Sequence, residues 1–214
     1  SFDNGGEGIW LNSGDSMALL NSRSEGNAAI GVHLTSVTGL IMAENTIRNN
    51  RLEGVLLDGG GDGHIFRENI SAGNKGDGFA LSIGAKIRVE RNLSTQNDSD
   101  GFDVSVTNSV FIQNASESNA LYQFRLASSA SGDTFQHNNL RTSPTNPDSG
   151  VYNGSTVVGN RFTFTRNWWG TTDSAGIRAR IYQKSNADSV IYEPFRLGQV
   201  DTAAGADTVA PATP

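Results

Sequence analysis

Cysteine is absent from the 214 residues, which excludes disulfides and thiolate metal sites and says little about compartment, since exported and cytosolic proteins alike can lack it. Long hydrophobic runs are absent too. No stretch of about 18 apolar residues occurs, so no helical membrane span is expected. A formal net charge of −6 comes without any basic block, and nucleic acid is therefore not expected as a partner. The three histidines have no metal-ligand spacing. Hydrophobic residues reach only 36% and aromatic residues 8%, which suits a narrow, elongated core better than a globule. A sustained 3.6-residue apolar period is missing, and this disfavours helical solenoids.

What is present is a repeat. Around Arg91–Val104 the sequence reads RNLSTQNDSDGFDV: two asparagines five apart, a glycine four residues after the second, then an apolar–any–apolar triplet. The first asparagine recurs as Asn45, Asn69, Asn92 and Asn114, and the second as Asn4, Asn27, Asn50, Asn74, Asn97 and Asn119. The glycine recurs as Gly8, Gly31, Gly54, Gly78 and Gly101, with Gln123 in the sixth place. The step is 22–24 residues. Each unit holds two or three short strand patterns separated by Gly, Asn, Asp and Ser turns. Equivalent strands one unit apart must pair in parallel, about 4.8 Å from each other. The expected fold is all-β: a right-handed parallel β-helix. Asparagine columns are expected to bond turn amides and the Asn of the next coil, and the glycines to avoid a clash or to adopt positive φ.

This frame resembles the parallel β-helix repeats of the pectate-lyase-like superfamily, including the carbohydrate-binding and sugar-hydrolase type and the periplasmic NosD-like proteins. The resemblance covers roughly residues 4–165. After an insertion, RTSPTNPDSG, the segment RNWWGTTDSAGIRARIYQKSNADSVIYEPF resembles the closing segment of secreted bacterial β-helix proteins. It implies Asn167–Gly170 with Trp168 and Trp169 at the turn, a short helix over Asp173–Gln183, an Ile181–Tyr182 pair and a Tyr192–Pro194 turn. Such a cap covers strand edges and apolar core. The expected organisation is coils over 1–165, a C-terminal cap over 166–200 and an Ala/Thr/Pro-rich linker or tail over 201–214. Ser1 is neither an initiator Met nor the start of a signal segment, so the chain reads as a piece of something longer.

In enzymes of that superfamily the outward positions of one sheet form a groove for polysaccharide. If the strands after the repeat glycines make that sheet, Ile9/Leu11, Val32/Leu34, Val55/Leu57, Phe79/Leu81, Phe102/Val104 and Phe124/Leu126 point inward. Trp10, His33, Leu56, Ala80, Asp103 and Arg125 then form the outward column, with Asp58 beside it. Trp10 next to His33 suits stacking on a sugar ring. Asp103 and Arg125 on adjacent coils read either as an acid/base or uronate-clamping pair or as an exposed ion pair contributing about 0–1 kcal/mol. A hydrolase needs two carboxylates about 5–9.5 Å apart, for which Asp103 and Asp58 are the candidates. Catalytic candidates are thus Asp103, Arg125, His33 and Asp58. Carbohydrate-binding candidates are Trp10, His33, Asp103 and Arg125. The acids just before the glycines, with Asp98 and Asp103 nearby, form a candidate calcium set of Asp77, Asp98, Asp100 and Asp103. The alternative is a set of solvated turn acids.

Three functions follow. The first is a non-catalytic or accessory domain of a larger secreted or cell-surface bacterial protein, binding a polysaccharide or cell-surface glycan or acting as a rigid adhesin or spacer. The second is a polysaccharide lyase, hydrolase or epimerase on acidic glycans, with calcium as the one candidate cofactor. The third is a structural module assembling end to end. No Asp-Pro-His-Glu signature of β-helix alginate epimerases is present. Location outside the cytoplasm is expected, extracellular, cell-surface or periplasmic.

Overall fold

The computed structural model describes residues 1–143, 146, 149–184 and 189–202. Among these residues the strands stack into three parallel sheets, two of eight strands and one of six. Strands adjacent in a sheet come from successive coils, as the repeat requires. The first sheet contains Ile9–Asp15, Val32–Thr38, Val55–Gly60, Phe79–Leu81, Phe102–Val104, Phe124–Leu126, Val151–Asn153 and Ile181–Gln183. No helix of the described residues is long and apolar enough to cross a membrane.

The predicted inward set forms the core: Val32, Leu34, Val55, Leu57, Phe79, Leu81, Phe102, Val104, Phe124 and Leu126 are fully buried. Ile9 and Leu11 pack against it while partly exposed. Phenylalanines stack coil on coil, Phe79 on Phe102 at 5.0 Å and Phe102 on Phe124 at 4.9 Å. A second stack runs along the second sheet, with Phe111 on Phe135 at 4.7 Å and Phe135 on Phe164 at 4.1 Å. Parallel register places identical positions above one another, so a ring chosen once is best continued by another ring.

Two asparagine ladders bound the third sheet. In one, the side-chain amides of Asn27, Asn50, Asn74 and Asn97 each donate to the side-chain oxygen of the next Asn, at 2.8–3.0 Å. Asn119 closes it by donating to Gln123 Oε1 at 2.9 Å. In the other, Asn45, Asn69, Asn92 and Asn114 link at 2.8–3.0 Å and continue through Asn138 to Asn167. Backbone N–H groups also donate to these oxygens, so turn amides buried away from water are satisfied. The sequons at Asn69, Asn92, Asn97, Asn114 and Asn153 are buried, which leaves no room for a glycan there.

The glycines act by sterics alone. None of Gly8, Gly31, Gly54, Gly78 and Gly101 has positive φ; a Cβ at Gly54 would lie 2.7 Å from Asn74 Nδ2 and 2.8 Å from Gly78 O. Positive φ falls instead on residues just before the ladder asparagines, such as Glu68, Arg91 and Gln96.

The helix is shorter than expected, Ser174–Ala179, with Asp173 as N-cap. Residues Ile181–Gln183 leave it to form the last strand of the first sheet, and Ser189–Ile191 forms the last of the second. The β-branched Ile181 and aromatic Tyr182 favour pairing with Val151–Asn153 over another helical turn. Trp169 and Ile177 are fully buried in the core cluster, while Trp168 is only half-buried. Of the insertion, Ser143 and Asn146 bridge antiparallel, and residues 144, 145, 147 and 148 fall outside the described residues. The tail expected over 201–214 lies outside them from residue 203.

Candidate carbohydrate-binding face

Register fixes the outward column of the first sheet as Trp10, His33, Leu56, Ala80, Asp103 and Arg125, continued by Tyr152 and Tyr182. Its two ends carry different chemistry, with Leu56 and Ala80 between them.

At the first end the Trp10 ring stacks on His33, centroids 6.1 Å apart and planes 14° apart. Trp10 Nε1 donates to Thr35 Oγ1 at 2.9 Å, while the ring stays 58% exposed. His33 lies between two carboxylates from the coils on either side: Nδ1 meets Glu7 Oε1 at 2.7 Å and Nε2 meets Asp58 Oδ1 at 3.0 Å. Burial lowers the imidazole pKa, but Asp58 and Glu7 outweigh it and the pKa is raised. The Glu7–His33–Asp58 bridge is therefore fully formed below the ordinary histidine value and weakens as pH rises through the raised one.

At the other end Arg125 Nη1 donates to Asp103 Oδ2 at 2.8 Å, and its Nε lies 3.9 Å from Asp100 Oδ2. The guanidinium also faces the Tyr152 ring at 6.0 Å. Tyr122 and Tyr182 each lie 5.1 Å from Tyr152, Tyr182 in a near-parallel stack. The predicted Asp103–Arg125 contact is present. Asp58 pairs with His33, so Asp58 and Asp103 make their ion pairs in separate clusters.

The acids before the glycines form a third ladder. Asp77 Oδ1 accepts from the Asp100 backbone N–H at 2.8 Å, and Asp100 Oδ1 from that of Tyr122 at 2.8 Å. Asp98 is drawn off to Lys75 at 2.6 Å. Among the described residues no group of three His, Asp or Glu side chains is arranged to hold a metal. Within the candidate calcium set, one oxygen each of Asp77 and Asp100 accepts a backbone N–H, Asp98 pairs with Lys75 and Asp103 with Arg125, while Asp103 Oδ1 is buried without a partner among the described residues.

Asp100 is the most perturbed group of this face. Burial pushes its pKa up to about 7, against the Tyr122 N–H and with help from the Asp77 and Asp103 charges. Asp103 is also raised, first by burial and against Arg125. A raised carboxyl pKa means that the folded state binds more protons than the unfolded chain between about pH 4 and 7. The contribution of these two groups to stability is therefore highest at the acid end of that window and falls as pH rises through it. Asp100→Asn keeps the acceptor for Tyr122 and removes the charge. It is expected to stabilise the protein by on the order of 2 kcal/mol at pH 8 and by little at pH 4.5, as urea titrations at both pH values would show. Equal effects at the two would mean that Asp100 stays ionised throughout.

Tyr152 escaped the sequence reading, although Gly150-Val151-Tyr152-Asn153 repeats the glycine–apolar–outward frame after the insertion, and Tyr182 figures there only as part of the closing segment. Glu7, the acid just before Gly8, reaches His33 only by a diagonal lean between coils, which the spacing along the chain does not show. His64 is buried and accepts the Leu40 N–H at 3.2 Å.

Residues 1–121 match a family described as the right handed beta helix region. The chain belongs to this family. As a right-handed β-helix it is similar to two solved structures: a pectate lyase, Pel9A, at 12% identity and TM-score 0.65, and a periplasmic alginate epimerase, the AlgG T265N mutant, at 16% and 0.64. Each alignment covers 88% of this chain; they cover 50% of the lyase and 47% of the epimerase, so the chain spans about half the length of either. At such identities the likeness is one of fold. No curated protein matches the sequence significantly.

Proposed function

We propose that this β-helix is a carbohydrate-binding module of a larger exported or cell-surface protein, with the outward column of the first sheet as its binding face. The observation behind this reading is the distribution of rings along that column. Trp10 stands exposed at one end, Tyr152 and Tyr182 stack at the other with Tyr122 touching Tyr152 from beside the column, and Arg125 is set against Tyr152. Aromatic faces complement the apolar faces of pyranose rings, and a guanidinium fork suits a uronate carboxylate. An acidic glycan is the favoured ligand. Pectate and alginate, named for the two structural neighbours, come first in a panel with a neutral glucan. Calorimetry should show saturable binding to an acidic member, weakened about tenfold in Trp10→Ala or Tyr152→Ala if each platform contributes on the order of 1.4 kcal/mol. Absence of binding to every polysaccharide would sink the reading.

One observation favours a second reading, an enzyme acting on acidic glycans: a carboxyl with pKa about 7 lies beside Asp103 and Arg125, in the range suited to acid–base catalysis. The same panel, followed by unsaturated-uronate absorbance and by new reducing ends, tests for lyase and hydrolase turnover. Product that disappears in Asp100→Asn would replace the binding module with an enzyme. Binding without product leaves the module.

A further inference from the structure

The corner between the second and third sheets has one residue per coil just before each asparagine of the Asn45–Asn167 ladder. Glu44, Glu68, Arg91, Gln113, His137 and Arg166 occupy it with φ between 53° and 58°. Over the early coils its charges are neutralised. Arg67 lies 3.8 Å from Glu44 and 3.2 Å from Glu68, and Arg91 lies 2.9 Å from Glu68 and 3.2 Å from Glu90. The last levels break that pattern. His137 and Arg166 precede Asn138 and Asn167, which are joined by an N–H to Oδ1 bond of 2.7 Å. The closing segment then places Arg196 on the next level: its N–H donates to Asn167 O at 2.9 Å. The side chains of His137, Arg166 and Arg196 make no hydrogen bond or ion pair among the described residues. Arg166 is exposed and the other two are half-buried.

We propose that His137, Arg166 and Arg196 form an oxyanion-binding site, taking a carboxylate or sulfate of an acidic glycan or a free inorganic oxyanion. The backbones that carry the three groups lie on successive levels, a step of about 5 Å, and basic groups placed so disfavour one another's charge unless an anion lies among them. The mutual effect is visible: the His137 pKa is lowered by burial and then by Arg196 and Arg166, and that of Arg196 by burial and then by Arg166. Charge of one sign against low-dielectric walls concentrates counter-ions. Two guanidinium forks can grip a planar carboxylate or a tetrahedral sulfate through paired N–H bonds, and half-burial strengthens those bonds relative to open water. A protein of net charge −6 has acids enough to neutralise this corner as it does the earlier coils. The site lies on a different wall from the first sheet and does not depend on carbohydrate binding there.

The His137 ring, followed by NMR in the full chain and assigned with His137→Gln, provides the readout. Sodium sulfate, a galacturonate oligosaccharide and a sulfated oligosaccharide are titrated separately against sodium chloride of equal ionic strength. Saturable shifts of His137, with a rise of its pKa, are expected from at least one probe. Affinity should fall about tenfold in Arg166→Gln, as expected for loss of a charge-assisted bond pair. Arg196→Gln should act alike, with circular dichroism confirming the fold; Arg166, being exposed, carries the test if Arg196→Gln unfolds. Response to a glycan identifies the ligand as acidic carbohydrate, and response to sulfate alone identifies a small-oxyanion site. Shifts no larger than those from chloride, or affinity unchanged in Arg166→Gln, overturn the proposal.

Discussion

Asn92→Leu is expected to lower the melting midpoint by about 6–12 °C, from a loss of roughly 3 kcal/mol in a domain of this size. Leucine is close in volume, so the effect isolates hydrogen bonding. The Asn92 amide donates to Asn114 Oδ1, Phe66 O and Glu90 O at 2.8–3.1 Å. Its oxygen accepts both the backbone N–H and the side-chain amide of Asn69 at 2.9 Å. With Asn92 only 1% exposed, water cannot replace those partners, and several polar groups on two coils are left unsatisfied. Asn4→Leu is the control: its side chain lies exposed at the end of the other ladder, and a change within about 0.5 kcal/mol is expected. Comparable losses from both substitutions would show that the ladder does not act through buried bonds.

Gly54→Ala should cost about 2–4 kcal/mol, more than a single methyl normally does. The added Cβ meets the Ser71 hydroxyl, the Asn74 amide and the Gly78 carbonyl of the next coil. Two of these belong to fixed hydrogen-bonded arrays: Ser71 Oγ donates to Gly78 O at 2.7 Å, and Asn74 Nδ2 donates to Asn97 Oδ1 at 3.0 Å. Relief therefore requires the coils to separate. Gly5→Ala, with nothing within 4 Å of the new Cβ, should be neutral in the same urea titration. A neutral Gly54→Ala would mean that coil spacing is soft and that the repeat glycines serve some other purpose.

Much of the architecture is written locally. A β-helix repeats one short set of contacts with each translation of about 4.8 Å, so every coil restates the same constraints. Asparagine spacing, glycine position and strand alternation each identify the coil independently. That redundancy is why the inward column from Val32 to Leu126 and the outward column from Trp10 to Arg125 could be assigned residue by residue. The serines of Asn-x-Ser, which look like glycosylation signals, follow the same logic: Ser71, Ser94 and Ser116 turn inward and donate to the carbonyl oxygens of Gly78, Gly101 and Gln123 at 2.7–2.8 Å.

The sequence by itself determined the fold, the register and the list of side chains facing outward, because these depend on period and alternation, which are properties of the chain read along its length. Only the tertiary structure decided which of those side chains act together. Asp58 leans one coil back to His33 and not forward to Asp103. Asp100 is buried deeply enough to stay near half-protonated at neutral pH. The closing segment brings Arg196 one level beyond Asn167, beside the corner that holds His137 and Arg166. Each of these outcomes rests on diagonal reach, desolvation or the path of a non-repeating segment, and such effects sum over neighbours from several coils at once.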